Sequence, residues 1–350
     1  MSLILITGIH GFVGTNLVAA LKQNHTIYGL DIVSPTKEGI IKTYGWNELD
    51  NLPSVDVIIH LAGKAHDTKN QTNEQVYFNI NTGLTERIYD WFSTSNASKF
   101  IFFSSVKAAA DKVKGDILTE DVIPSPKGPY GESKIAAENY ILTQEARGKR
   151  QEASKQAMRV NEQEYIPENQ NYTIPNTNYP LLTTDYKLKS TFILRPCMIH
   201  GPGNKGNLNL LYQVVKKGIP YPLGAFENRR SFTSIDNLTF VITELIEKDI
   251  PGGIYNVGDD ETLSTNELIA LMANTMNKSN ITWKWNKSLI QICAKIGTKL
   301  HFPLNTERLH KLTENYVVSN VKLKKALGII SMPISADKGL IKTIKSFEKK

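Results

Sequence analysis

Tyr130-Gly-Glu-Ser-Lys134 sets a phenol and an ammonium one helical turn apart on the same face. A free tyrosine has a pKa of about 10 and is a poor base at neutral pH, but a neighbouring cation lowers it. The pair could therefore exchange a proton with a hydroxyl. Ser105, at the end of Phe102-Phe-Ser-Ser105, offers a second hydroxyl that could hold the oxygen whose proton the tyrosine moves. A Tyr four residues before a Lys is common by chance, so the set gains meaning from its surroundings. Thr7-Gly8-Ile-His-Gly11-Phe-Val-Gly14 supplies them. Gly8 permits a tight turn, Gly11 lets backbone approach a pyrophosphate, and Gly14 lets a helix pack on a strand; the helix N-terminus offers free N–H donors. Asp31, 23 residues after Gly8, is placed to accept hydrogen bonds from adenosine ribose hydroxyls. A carboxylate there repels a 2′-phosphate, which favours NAD(H) over NADP(H).

These residues need a scaffold that brings loop ends together. Leu3–Thr7, Thr26–Leu30, Val57–Leu61, Lys99–Phe103 and Thr191–Leu194 are continuous apolar runs, as expected of strands buried on both faces. Helical patterns lie between them at Phe12–Asn24, Tyr77–Ser95 and Gly131–Glu145. The alternation predicts an α/β fold, a Rossmann-type doubly wound parallel sheet. Residues 1–200 form the expected dinucleotide-binding domain. Residues 201–350 form mainly a smaller C-terminal lobe, with 228–260 returning to the first domain. Helices are predicted there at Leu208–Lys217, Ile235–Glu247 and Ser264–Asn277, the last opened by the capping box Ser264-x-x-Glu267. Residues 146–190, rich in Asn, Gln, Thr, Tyr and Pro, are too long for a helix-to-strand connection. They read as an insertion, helical at its start and irregular later. It lies away from the ligand-binding edge, which suits a structural or subunit-contact role.

Composition narrows the class of protein. Of 350 residues, 41% are hydrophobic and 21% charged, which excludes a wholly disordered chain. No apolar run is long enough to span a bilayer and no leader pattern opens the chain, so a cytoplasmic location is expected. Cys197 and Cys293 lack disulfide or metal-site spacing and read as packing residues; no metal is expected. Leu289–Phe302 reads as a core-facing helix rather than a membrane contact. The net charge of +7 comes mostly from residues 321–350, where eight lysines face Asp337 and Glu348. That is a solvated surplus rather than a nucleic-acid face.

The chain resembles the extended short-chain dehydrogenase/reductase family, in its nucleotide-sugar epimerase, dehydratase and reductase branch. Beyond the glycine turn and the Tyr-Lys pair, the resemblance rests on His60-Leu-Ala-Gly63, Asn79-Ile-Asn81, Leu194-Arg-Pro196, Gly201-Pro-Gly203, Asn228–Leu238 and Tyr255-Asn-Val-Gly258. Ser104-Ser-Val-Lys107, Gly206-Asn207 and Pro222–Ser231 are most similar to UDP-N-acetylquinovosamine dehydrogenases, which are 4-ketoreductases. The resemblance implies Ser105, Tyr130 and Lys134 as the catalytic set. It implies Gly8, Gly11, Phe12, Val13, Gly14, Asp31, Ile32, Leu61, Ala62, Gly63, Asn79, Tyr130, Lys134 and Pro196 as the lining of an NAD site. Asn207 and Arg230 match positions that hold the diphosphate of a UDP-sugar, with Ser105 and Tyr130 at the sugar; a guanidinium is a good bidentate partner for a diphosphate.

Departures from the family pattern narrow the reaction. Val106-Lys107 stands where dehydratases carry Asp-Glu, which disfavours dehydration. Met198 replaces a frequent Asn, and Ala109-Ala110 a usual Tyr-Gly. Lys64 and His66 are candidates to face the sugar. The expected activity is NAD(H)-dependent 4-ketoreduction of a UDP-linked hexose or N-acetylhexosamine in polysaccharide precursor synthesis. A 4-epimerase with tightly held NAD is the alternative, and a non-catalytic dinucleotide-binding regulator a distant one. A homodimer is expected, paired through about Gly83–Ser95 and Gly131–Glu145, with neither nucleic acid nor membrane as partner.

Overall fold

Five apolar runs, too β-branched and too short for helices, become parallel strands because both of their faces are covered. The computed structural model describes residues 1–64, 73–164, 189–204, 206–279, 282–300 and 305–348. In chain order the first half holds β1 (Leu3–Thr7), α1 (Phe12–Leu21), β2 (Thr26–Leu30), β3 (Thr43–Tyr44), β4 (Val57–His60), α2 (Glu74–Tyr77), α3 (Gly83–Thr94), β5 (Lys99–Phe103), α4 (Val106–Ala109) and α5 (Pro129–Glu164). There follow β6 (Ser190–Pro196), β7 (Met198–His200), α6 (Asn207–Lys216), β8 (Arg230–Ser234), α7 (Ile235–Glu247), β9 (Gly253–Val257), β10 (Thr262–Leu263) and α8 (Thr265–Thr275). The chain ends with α9 (Lys287–Leu300), α10 (Thr306–Thr313), α11 (Val321–Leu327) and α12 (Ala336–Glu348).

Seven strands form one sheet in the order β3-β2-β1-β4-β5-β6-β9, every pair parallel. This is the Rossmann-type doubly wound α/β fold expected from the alternation. Side chains alternate across it: Ile4, Ile6, Ile59 and Leu194 face a core shared with α1, α7 and α11, whereas Leu5, Ile58, Phe100 and Ile193 face α3 and α5. The chain runs outward from β1 to β3 and then returns to β4 on the other side of β1. That reversal is the switch point at which open α/β sheets take up ligands, beyond the carboxyl ends of the strands. A second sheet, β10-β8-β7, carries α6, α8 and α12 on a core of Leu208, Tyr212, Phe232, Leu268 and Leu340.

Several elements differ from their sequence pattern. The helix expected at Tyr77–Ser95 is interrupted at Phe78–Thr82 by a π-helical turn between α2 and α3. α5 does not stop near Glu145 but continues to Glu164, so the start of the insertion is helical; residues 165–188 lie outside the described residues. The Ser264–Glu267 capping box forms, each side chain bonding the other's backbone N–H. Leu289–Phe302 is not core-facing along its length. α9 buries Ile290, Ala294 and Gly297, but leaves Leu289, Ile292, Ile296 and Leu300 exposed, and Cys293 with them. Cys197 packs inside as expected, and burial pushes its thiol pKa up. The period of that helix marked an apolar face correctly but could not say what covers it.

Candidate active site

The glycine turn is built by close backbone approach. Gly8 adopts φ 65°, and a Cβ there would lie 2.9 Å from the backbone of Ala62. A Cβ on Gly14 would come within 2.4 Å of the Ile9 carbonyl oxygen, which fixes how α1 rests on the turn. Gly11 is the N-cap of α1 with no side chain to occupy the space ahead of it. Phe12 and Val13 begin α1 and pack partly into the core beneath. Across the switch point Thr7 Oγ1 accepts from Ala62 N–H at 3.0 Å and pairs with His60 Nδ1 at 2.6 Å. His60 Nε2 pairs in turn with Thr85, and burial holds this histidine well below its ordinary pKa, so it works as a neutral strut.

Asp31 closes the other side of the turn. Its carboxylate accepts from His10 N–H at 3.0 Å and Ile32 N–H at 2.7 Å, while the Ile32 side chain is exposed. A cavity of about 430 Å³ opens there, lined by Asp31, Ile32, Gly45, Trp46, Asn47 and Arg87. A glycine cradle that any Cβ would fill, next to a carboxylate-edged cavity, fits a dinucleotide with a free ribose 2′-hydroxyl. Trp46 and Arg87 were not signalled by the sequence, because they lie on segments far from the motif.

The catalytic candidates gather at the carboxyl end of β5. Ser105 is the N-cap of α4, with its hydroxyl accepting from Lys107 N–H. It is also hydrogen-bonded to the phenol of Tyr130. Lys134, buried one turn further along α5, donates from Nζ to the Phe103 carbonyl at 2.8 Å and stands over the Phe102 ring. Gly63 matters here: a Cβ on it would lie 3.1 Å from Lys134 Nζ and 2.9 Å from Asn81 Oδ1. Asn79 is exposed and bonded to Gln75, whereas the π-helical turn directs Asn81 inward, where it bonds Lys64 and Ser133.

The electrostatics correct one expectation. Burial pushes the Tyr130 phenol up from its ordinary value, with the Ser105 bond pulling in the opposite direction. Lys134 is not among the groups that shift the phenol; burial dominates at Lys134 itself, bringing it down to about 8 against the attraction of Glu138. Glu138 is itself fully buried and clamps Arg195 with two bonds, at 3.0 and 2.6 Å, while accepting from Ser104. A buried pair of this kind ties α5, β6 and the corner that carries Ser105.

The strand-like segment at Tyr316 reaches this corner. Tyr316 Oη donates to the carbonyls of Val106 and Ala110, and its ring is covered by Lys107 Nζ at 4.4 Å. The same residue pairs through its backbone with Arg229 and Ser231. Ala109 and Ala110 are buried against it, so a distant tyrosine occupies the space beside this turn. Of the two adjacent arginines Arg229 is exposed and Arg230 partly buried. Burial lowers the pKa of Arg230, and Glu314 opposes that shift. Pro196 ends β6 buried. Asn207 opens α6, but its side chain lies outside the described residues, as does His66. Lys64 stands over the ring of Tyr77 and Met198 starts β7, partly exposed. Among the described residues no group of three or more His, Cys, Asp or Glu is gathered to hold a metal.

With the glycine turn, the Ser-Tyr-Lys corner and the Rossmann-type sheet placed, the chain can be compared with known proteins. Residues 4–154 match the NAD dependent epimerase/dehydratase family. The family is NAD-dependent. UDP-glucose 4-epimerase of Vibrio cholerae is 27% identical over 98% of this chain and 95% of its own. GDP-6-deoxy-D-mannose reductase of Pseudomonas aeruginosa is 23% identical over 77% of this chain and 79% of its own. The structure of MoeE5 in complex with UDP-glucuronic acid and NAD superposes with a TM-score of 0.70 at 19% identity, covering 99% of both chains, which establishes the shared fold.

Proposed function

We propose that the chain is an NAD(H)-dependent oxidoreductase acting at C4 of a UDP-linked hexose or N-acetylhexosamine, and that it reduces the 4-keto form of that sugar. The observation that carries the reading is the Tyr130 phenol bonded to Ser105, with Lys134 a turn away, next to the Gly8–Gly14 cradle. When bound, NAD(H) supplies or accepts the hydride. Tyr130 gives its proton to O4 in reduction and would take it back in oxidation. Ser105 donates to the same oxygen and stabilises the charge that develops there. Lys134, one turn along α5 and anchored by the Phe103 carbonyl, is the cation of the set. Gly8, Gly11, Gly14, Asp31 and Gly63 are the chain's groups for the dinucleotide, and Arg230 its cation for the diphosphate.

A second reading, 4-epimerisation, draws support from the Vibrio cholerae relative, which is named for that reaction and is similar along nearly the whole chain. The two readings separate in one experiment: the purified chain is offered a 4-keto UDP-sugar with NADH. Stoichiometric NADH oxidation supports the reductase; retained NAD with no net NADH consumption, and inversion at C4 when the 4-hydroxy UDP-sugar is offered instead, supports the epimerase. In either case Tyr130→Phe should lower kcat by roughly 10²–10⁴-fold, the usual worth of a positioned acid-base group. Unchanged turnover in that variant would remove the mechanism, and no turnover in the parent chain would favour a binding role only.

A further inference from the structure

α9 has two apolar faces, and only one is used. Ile290, Ala294 and Gly297 are turned inward, with Ile290 and Ala294 in a small core with Leu223 and Leu309. Leu289, Ile292, Ile296 and Leu300 are each about half exposed, at 54, 54, 50 and 55%. With Cys293, also exposed, they recur at the three- and four-residue spacing that aligns side chains along one stripe of a helix. At 1.5 Å per residue the 14-residue helix runs about 21 Å.

The surroundings of the stripe point to what covers it. Residues 282–300 contain Lys284, Lys287, Lys295 and Lys299 and no Asp or Glu. Lys295 and Lys299 lie next to the stripe on the solvent side of the helix and are exposed. Just before the helix Trp283 and Trp285 are each nearly half exposed, at 47 and 48%, and stacked on one another at 5.9 Å. An apolar stripe edged by lysines and preceded by tryptophans has the composition of a helix that lies in the plane of a lipid surface, with cations at the headgroup phosphates. A second copy is the poorer partner: two such faces brought together across a two-fold axis oppose Lys295 and Lys299 with the same lysines of the copy, and residues 282–300 hold no acid to pair them. No described helix is long and apolar enough to cross a membrane, so any contact is in-plane.

We infer that the exposed face of α9 docks on an anionic phospholipid bilayer, the apolar stripe entering the headgroup layer and the lysines meeting its phosphates. This departs from the expectation of no membrane partner, and it stands independently of the reaction assigned to the site. The test is co-sedimentation of the full chain with phosphatidylcholine vesicles, with and without phosphatidylglycerol, followed also by tryptophan emission. Binding to the phosphatidylglycerol vesicles is expected, with a blue shift, weakened at least tenfold by high salt or by the double substitution Ile292→Asp and Ile296→Asp. Lys295→Ala with Lys299→Ala should weaken it several-fold. All these side chains are exposed, so the variants should keep the parent's melting temperature and turnover. Failure to bind either vesicle, or equal binding to both, would overturn the assignment. So would an Ile292→Asp, Ile296→Asp chain that loses only self-association, which would make the face an interface between copies.

Discussion

Lys134 carries its charge at a cost to the fold. Burial brings its pKa to about 8, from an ordinary value near 10.5. A folded-state pKa below the unfolded one means that the unfolded chain binds more protons between those values, so folding stability attributable to this group rises with pH across that window. At pH 7, where both states are protonated, the penalty is on the order of 3 kcal/mol at about 1.4 kcal/mol per pKa unit. Urea denaturation from pH 7 to 10.5 should therefore show the parent gaining stability relative to Lys134→Met, with most of the gain above pH 8. A flat difference would mean that the ammonium is not desolvated. Ser105, Tyr130 and Lys134 could be singled out in the sequence only because a glycine turn and a strand-helix alternation surround them. Asn81 and Glu138 could not. The first is directed inward only by a π-helical turn, and the second acts through Arg195, 57 residues away.

At the scale of elements, the short helix α4 is held from outside itself. Its four residues make too little of their own hydrogen bonding to fix Ser105, and the Tyr316 hydroxyl reaches the Val106 carbonyl at 3.2 Å and the Ala110 carbonyl at 2.6 Å. Tyr316 lies 210 residues from Val106, so no local pattern announces the contact. Tyr316→Phe keeps the ring and removes the bonds. It should cost about 1–3 kcal/mol of stability, the usual penalty for a buried group left unpaired, here the Ala110 carbonyl since that of Val106 keeps the Ala110 N–H, and lower kcat more than it raises KM. Equal parent and variant kcat would show that α4 holds its own shape. The strands and most helices, by contrast, follow from short-range pattern. The continuous runs at Leu3–Thr7 and Lys99–Phe103 become central strands with their expected boundaries because burial on both faces leaves them no other place. Helix at the start of the insertion was expected, but not that it continues α5 without a break past Glu145, because polar sequence without an apolar face gives no sign of continuity.

Over the whole molecule, some of the cation excess is spent inside the fold. Lys99 Nζ donates to the carbonyls of Leu245, Ile246 and Lys248 at the end of α7, and Lys189 to those of Phe92, Ser93 and Ser95 at the end of α3. Each places positive charge at the negative end of a helix dipole. α3 and α5 pack together and are joined by the Tyr140 hydroxyl on Asp90, at 2.5 Å. We propose that this pair meets its copy as the four-helix interface of a homodimer. Sedimentation at micromolar concentration should give twice the 39.2 kDa chain mass, and a monomer would count against the pairing.

The two borders of the large sheet have a consequence for how the protein behaves when concentrated. On one side β3 is only two residues long, too short to template another strand. On the other, the outward N–H of Asn256 in β9 is already taken by the Glu120 carboxylate at 2.8 Å. Growth by strand addition is thus opposed at both margins, at one by brevity and at the other by Glu120, the neighbouring Leu118 carbonyl and α11. Glu120→Ala frees the Asn256 N–H, and that variant should form more thioflavin-positive assemblies than the parent on prolonged storage at high concentration.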